Sequence, residues 1–183
     1  MTTCALVIGH KKSSPGACNE VAGVTEFEFN EKLAMEIEAK VRGVLIQRVY
    51  RRTYETLPHD INTLNPDFII SLHCNAFNKQ ASGTEVLYYH MSEKGKKMAE
   101  ILSRHLVGAL ELFDRGILAR SAEDRGGYLL KYTNAPCVIS EPFFIDNDND
   151  YRRAMERYEQ LVAAYTLAID EIEASILFKN IAV

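Results

Sequence analysis

The sequence predicts a single α/β domain with a doubly wound, largely parallel twisted sheet and helices on both faces. Short apolar runs alternate with longer amphipathic segments along the whole chain, which is the pattern of strands joined by helical crossovers. No linker and no internal repeat interrupts that alternation. A length of 183 residues, with 47% hydrophobic and 25% charged residues, fits one globular domain.

The chain opens with an apolar run, Cys4 to Ile8, that predicts the first strand. The Ser, Gly and Pro content of residues 11–23 then predicts a loop. Residues 26–42 predict a helix that Thr25 caps and Gly43 ends. Its apolar side chains recur every four positions, at Phe29, Leu33, Ile37 and Val41.

The middle of the chain continues the alternation. β-Branched and aromatic runs predict strands at residues 44–49, 67–72 and 84–89. Residues 53–64 and 93–113 predict a short and a long amphipathic helix.

The last part of the chain predicts an irregular charged connection, a short strand and a long helix. The connection is bounded by Gly116 and Gly126-Gly127, and the strand covers residues 138–140. From Asp150, apolar residues spaced alternately by four and three predict one helix packed on the sheet rather than a coiled-coil seam. We expect a domain at residues 1–176 and a short tail at 177–183.

Composition and termini exclude several classes of protein. The formal net charge of −4 gives no basic surface for nucleic acid. No apolar stretch has the roughly 20 residues of a membrane-spanning helix, and the N-terminus has no signal-peptide pattern, which predicts a cytoplasmic protein. The four cysteines contain no CxxC pair, so neither a disulfide framework nor a cysteine-rich zinc site is predicted.

Three predicted strands end in residues that can carry chemistry. His10 follows the first strand, His73 follows residues 67–72, and Glu141 follows residues 138–140. Because the functional crevice of an open α/β sheet lies beyond the carboxyl ends of its strands, these side chains should meet at one edge, with Glu26 nearby at a helix start. Two imidazoles and a carboxylate are the ligand set of a hydrolytic zinc site, and a further carboxylate can take the proton of water.

Seven short segments, spread over nearly the whole chain, carry a resemblance to a known family. The segments are Val7-Ile8-Gly9-His10, Ser14 to Ala17, Glu26 to Asn30, Ile70 to Ala76, Gly83 to Val86, Arg115-Gly116 and Pro136 to Glu141. They resemble the zinc-dependent N-acetylmuramoyl-L-alanine amidases, which are cell-wall hydrolases of bacteria and of phage lysins. Lys11-Lys12 replace the usual glycine pair after the first histidine, which is a departure in loop shape.

The resemblance implies that His10, Glu26 and His73 hold one zinc ion and that Glu141 is the catalytic acid/base. It implies peptidoglycan as the substrate and cleavage of the amide between N-acetylmuramic acid and the L-alanine of the stem peptide. With no signal peptide and no helical lid between residues 76 and 82, we expect a phage or prophage lysin that waits in the cytoplasm and needs no obligate protein partner. The alternatives are a non-catalytic peptidoglycan-binding module and a zinc peptidase acting on stem peptides.

The sequence leaves more than one role open for four residues. Glu28 lies two residues from Glu26 and is a substitute third ligand. Cys74 beside His73 allows a cysteine nucleophile, although neighbouring residues on a strand point to opposite faces. Arg120 and Arg125 either bind a substrate carboxylate or are solvated loop residues.

Overall fold

A computed structural model of the protein describes residues 1–177, so the predicted tail beyond Leu177 lies outside the described residues. The strands are β1 Thr3–Ile8, β2 Cys18–Asn19, β3 Val24–Thr25, β4 Leu45–Tyr50, β5 Phe68–Leu72, β6 Thr84–Tyr89, β7 Asp114–Arg120 and β8 Cys137–Glu141. The helices are α1 Glu26–Lys40, α2 Leu57–Leu64, α3 Glu93–Leu110, α4 Gly127–Tyr132, α5 Asp148–Glu156 and α6 Tyr158–Leu177.

Six strands form one sheet in the order β4-β1-β5-β8-β6-β7, and β2 pairs with β3 in a separate small ribbon. The first four strands of that order are mutually parallel. β6 runs antiparallel to β8, and β7 runs parallel to β6. The α/β class and the largely parallel sheet predicted from the sequence are therefore confirmed, with two reversed strands at one side.

Helices cover both faces of the sheet. α1, α3 and α6 pack on one face around a core that includes Leu33, Leu102 and Tyr165. α2 and α4 pack on the other face, where Ile61 and Leu129 meet sheet residues such as Ile69. Alternate residues of each central strand enter the two cores, so both faces of these strands are apolar. The carboxyl ends of β1, β5 and β8 are left at one edge.

Several elements differ from the sequence prediction, and α4 and the short β2–β3 ribbon are absent from it. The segment predicted as an irregular connection contains β7, an edge strand in which Ile117 and Leu118 pair with β6. The single long helix predicted from Asp150 is two helices, because Arg157 leaves the helical conformation with φ −115° and ψ 27°. The apolar stripe runs across that break, so periodicity alone does not reveal it.

The segment between β5 and β6 is the one in which the sequence predicts no helical lid. Residues 73–83, all described by the structure, contain no helix. Among the described helices, none is both long enough and apolar enough to cross a bilayer.

Candidate metal centre and cleft

His10 is placed by the turn that follows β1. The Gly9 amide donates to the Leu72 carbonyl at 2.9 Å, which ties the end of β1 to the end of β5. A Cβ at Gly9 would lie 2.4 Å from that carbonyl oxygen, so the close approach requires glycine. His10 itself has a left-handed φ of 65°, which turns its ring back over the sheet edge.

Glu26 is placed by the start of α1. The Thr25 hydroxyl accepts the Glu28 amide and the Glu28 carboxylate accepts the Thr25 amide, which forms a complete capping box. Glu26 is thus the first helical residue, and its side chain is only 1% exposed. Backbone amides of Cys74 and Ala17 donate to its two oxygens at 3.1 and 3.4 Å.

The Glu26 carboxylate bridges the two histidines. His10 Nε2 lies 3.1 Å from Oε2, and His73 Nδ1 lies 2.9 Å from Oε1. Burial opposes ionisation of Glu26, but hydrogen bonds from His10 and His73 outweigh it and lower its pKa to about 2. The structure therefore brings together an anionic oxygen and two imidazole nitrogens.

These three groups fit a zinc ion by chemistry and by spacing. Bonds of 2.0–2.1 Å in a tetrahedral zinc site put ligand atoms about 3.3 Å apart, close to the 3.1 and 2.9 Å separations found here. One ligand atom from each of His10, Glu26 and His73 lies within 4.8 Å of the other two. Gly16 leaves the room for this packing, because a Cβ there would lie 2.6 Å from Glu26 Oε2 and 2.7 Å from the His10 ring.

The two alternative roles near this cluster are not supported by the structure. Glu28 is exposed and is engaged in the capping box, facing away from the histidines. The Cys74 thiol is fully buried toward Asn30, and burial together with the Glu26 charge raises its pKa well above the usual value. Cys74 contributes its backbone amide, while its thiol stays in the protonated, poorly nucleophilic form.

Glu141 is the last residue of β8, at the same edge of the sheet. Its side chain is 5% exposed, and its Oε2 atom has no hydrogen-bond partner among the described residues. Burial and the Glu26 charge raise the pKa of Glu141 well above its usual value, although Arg125 acts in the opposite direction. A carboxyl with a raised pKa keeps its proton at higher pH than an exposed one, which is a property of general acids.

A cleft of about 450 Å³ joins His10, His73 and Glu141 to the face of the sheet covered by α2 and α4. Its apolar floor includes Val7 and Ile139. Its walls come from the β4–α2 connection and from the loop before α4, and they include Arg51, Tyr54, Arg125 and Tyr128.

Three of these wall residues, Arg51, Tyr54 and Tyr128, are absent from the sequence prediction. Arg51 directly follows β4, so the rule applied to His10 and His73 could have identified it. Of the two arginines singled out in the sequence, Arg125 lines the cleft, whereas Arg120 lies at the end of β7 outside the lining.

A buried polar network lies beside Glu141. Glu85 is the cross-strand partner of Glu141 in the β6–β8 ladder. Asn75 donates to one Glu85 oxygen at 2.9 Å, and Arg115 Nε donates to the other at 2.6 Å. Because both Glu85 oxygens accept hydrogen bonds, its carboxylate is held in place next to Glu141. The negative charge of Glu85 contributes to the raised pKa of Glu141.

Comparison with known proteins gives one family. The model of the N-acetylmuramoyl-L-alanine amidase family matches residues 4–171. The uncharacterized protein YqiI of Bacillus subtilis is 30% identical over 164 residues, which cover 85% of this chain and 76% of YqiI. Two other curated Bacillus relatives are much longer, and the chain spans 17% and 29% of their lengths.

Solved structures share the fold over almost the whole chain. An N-acetylmuramoyl-L-alanine amidase from Clostridium difficile 630 superposes with a TM-score of 0.83 at 20% identity, covering 95% of this chain and 97% of that one. The catalytic domain of the CD27L endolysin, which targets Clostridia difficile, gives a TM-score of 0.77 at 25% identity, with 95% and 98% covered.

Proposed function

The chain belongs to the N-acetylmuramoyl-L-alanine amidase family, and on that premise we propose that it hydrolyses peptidoglycan. The bond cleaved is the amide between the lactyl group of N-acetylmuramic acid and the L-alanine of the stem peptide. The observation that carries this proposal is the meeting of His10, Glu26 and His73 at one end of a cleft that Glu141 also lines.

In this proposal His10, Glu26 and His73 hold one zinc ion. Zinc bound there would act as a Lewis acid that polarises the scissile carbonyl and makes water acidic enough to attack near neutral pH. The ionised Glu26 supplies the negative charge that the cation requires, and the Cys74 and Ala17 amides keep that carboxylate oriented.

Glu141 is the proposed general acid/base. Its ionised form accepts a proton from the attacking water, and its protonated form then donates that proton to the leaving nitrogen of L-alanine as the C–N bond breaks. Both forms must be accessible near neutral pH, which fits a carboxyl whose pKa burial has raised. Glu85 is held by Asn75 and Arg115, so it is not free to take this role.

We also propose that the protein is a phage or prophage lysin with a permanently accessible site. Two observations support this: the similarity to the CD27L endolysin catalytic domain, and the absence of a helix in residues 73–83, where a lid would lie. Such a protein would be kept from its substrate by the membrane until lysis. Co-expression with a membrane-permeabilising protein should cause lysis, whereas prompt lysis by this protein alone would contradict the proposal.

A digest of purified peptidoglycan tests the activity. Mass analysis should find free stem peptides with new L-alanine N-termini, and a chelator should abolish their release until zinc is added back. Cleavage within the stem peptide would instead indicate a zinc peptidase. Binding to the wall without any product would indicate a non-catalytic module.

A further inference from the structure

Unpaired arginines are concentrated at the cleft. The chain has eleven arginines. Seven of them form ion pairs with carboxylates, and Arg42 donates to backbone carbonyls. Within residues 1–177, only Arg51, Arg120 and Arg125 have neither kind of partner, and two of these three line the cleft. Guanidinium groups without a protein acceptor in a concave site are available for an anionic ligand.

Arg51 and Arg125 lie on two wall segments that are fastened together. The Tyr128 hydroxyl donates to the Glu55 carbonyl at 3.1 Å, and the rings of Tyr54 and Tyr128 lie 5.7 Å apart. The Arg51 guanidinium lies over the Tyr54 ring at 5.8 Å. These contacts hold together the two segments that carry Arg51 and Arg125, and both arginines line the same cleft.

The acidic residues on the same loop are already engaged. The backbone amide and the hydroxyl of Ser121 donate to Asp124 at 2.7 and 3.0 Å. Hydrogen bonds from its own backbone amide and from the Ser121 side chain likewise lower the pKa of Glu123. Arg120, at the end of β7, lowers the pKa of both Asp124 and Glu141 through its charge, but it is not among the residues that line the cleft.

We propose that Arg51 and Arg125 form a carboxylate subsite for the peptide side of the scissile amide, which makes the enzyme selective for acidic stem peptides. This inference rests on the proposed amidase function. The glycan side carries neutral hydroxyl and acetamide groups, since the lactyl carboxyl is consumed in the amide, and therefore offers the arginines no charge. The peptide side offers a free α-carboxylate on the glutamate that follows L-alanine.

The cleft has the composition that this placement requires. The alanine methyl group would lie over the apolar floor that includes Val7 and Ile139. A residue of extended peptide spans about 3.5 Å, so the next residue still lies inside the cleft. A volume of about 450 Å³ accommodates a short peptide segment.

The test uses two matched substrates. One is N-acetylmuramoyl-L-alanyl-γ-D-glutamyl-L-lysinamide, and the other carries a carboxamide in place of the glutamate α-carboxylate. We expect the protein to favour the acid by about ten- to a hundred-fold in kcat/KM. Arg51→Gln and Arg125→Gln should each reduce that preference, mainly by slowing cleavage of the acid. Arg152→Gln removes the same charge from an exposed pair on α5 and should leave the preference unchanged.

A binding measurement separates this inference from the proposed activity. Calorimetry on the Glu141→Gln variant should show that L-alanyl-γ-D-glutamyl-L-lysinamide binds more tightly than its carboxamide analogue, and that adding Arg51→Gln reduces the difference. Equal cleavage and equal binding of the two forms would overturn the subsite while leaving the amidase function standing. No cleavage of either form would overturn the amidase function, and the binding difference would still decide the subsite.

Discussion

In the metal-free protein, Glu141→Gln should increase the free energy of unfolding relative to wild type, and this increase should be larger at neutral pH than at acidic pH. The raised pKa of Glu141 means that the folded state favours the protonated carboxyl, whereas the unfolded chain ionises it near its ordinary value of 4.5. The stabilisation from this group is therefore fully present below about pH 4.5 and is lost as the pH rises toward the folded pKa. Glutamine does not titrate, so the variant is spared that loss.

The magnitude follows from proton linkage. Each pH unit between the unfolded and folded pKa values costs about 1.4 kcal/mol of folding free energy. Between pH 5 and pH 7 the variant should therefore gain stability relative to wild type, by at most about 3 kcal/mol if Glu141 stays protonated in the folded state over the whole range. Replacing a carboxyl oxygen by an NH2 group also has an effect on stability that does not depend on pH, and this effect cancels when the two pH values are compared.

Urea unfolding in the presence of a chelator, at pH 5, 6 and 7, measures the change. Glu100→Gln is the control, because Glu100 is exposed and only loosely paired with Lys97. Zinc should reduce the pH dependence, because a cation held by Glu26 would oppose the negative charge that helps to keep Glu141 protonated. A difference between Glu141→Gln and wild type that stays constant from pH 5 to pH 7 would refute the reasoning.

Other substitutions test the metal centre. His73→Ala should lose bound zinc, measured by elemental analysis, whereas Glu141→Gln should keep about one equivalent and lose turnover. Gly16→Ala places a Cβ 2.6 Å from the Glu26 carboxylate, at a position where φ is 83°. It should therefore lower the free energy of unfolding by about 1–3 kcal/mol, which lowers the Tm, and it should weaken zinc retention. Glu28→Gln should keep zinc and lower the stability only slightly, through the weakened capping box. Zinc retained by His73→Ala, an unchanged Tm for Gly16→Ala, or zinc lost by Glu28→Gln would contradict the respective assignment.

The sequence predicts the centre of the fold well because its central strands are buried on both faces. Continuous apolar runs such as Cys4 to Ile8 are typical of these strands. Parallel pairing of the strands then brings His10, His73 and Glu141 to one edge of the sheet. β7 is not predictable in the same way, because an edge strand tolerates the charges and glycine of Asp114 to Gly116. The reversed direction of β6 and β7 depends on tertiary pairing that local patterns do not encode.

The cleft is harder to predict than the metal centre for a related reason. Its two arginines become a pair only when the loops after β4 and β7 face each other, and they lie more than seventy positions apart in the chain. Neither loop has a distinctive sequence pattern. What marks these arginines is the lack of partners, which is a property of the folded surface.

The central place of β8 has a consequence for synthesis of the chain on the ribosome. Its residues come late in the chain, yet they fill the gap between β5 and β6. Without residues 137–141, the strand order of this sheet leaves two separate ribbons, β4-β1-β5 and β6-β7, in which β5 and β6 each present an unpaired edge of the kind that promotes aggregation. Glu141 arrives on the strand that joins the two ribbons. A chain that stops before residue 137 therefore lacks both the strand that joins the two ribbons and the proposed acid/base, Glu141.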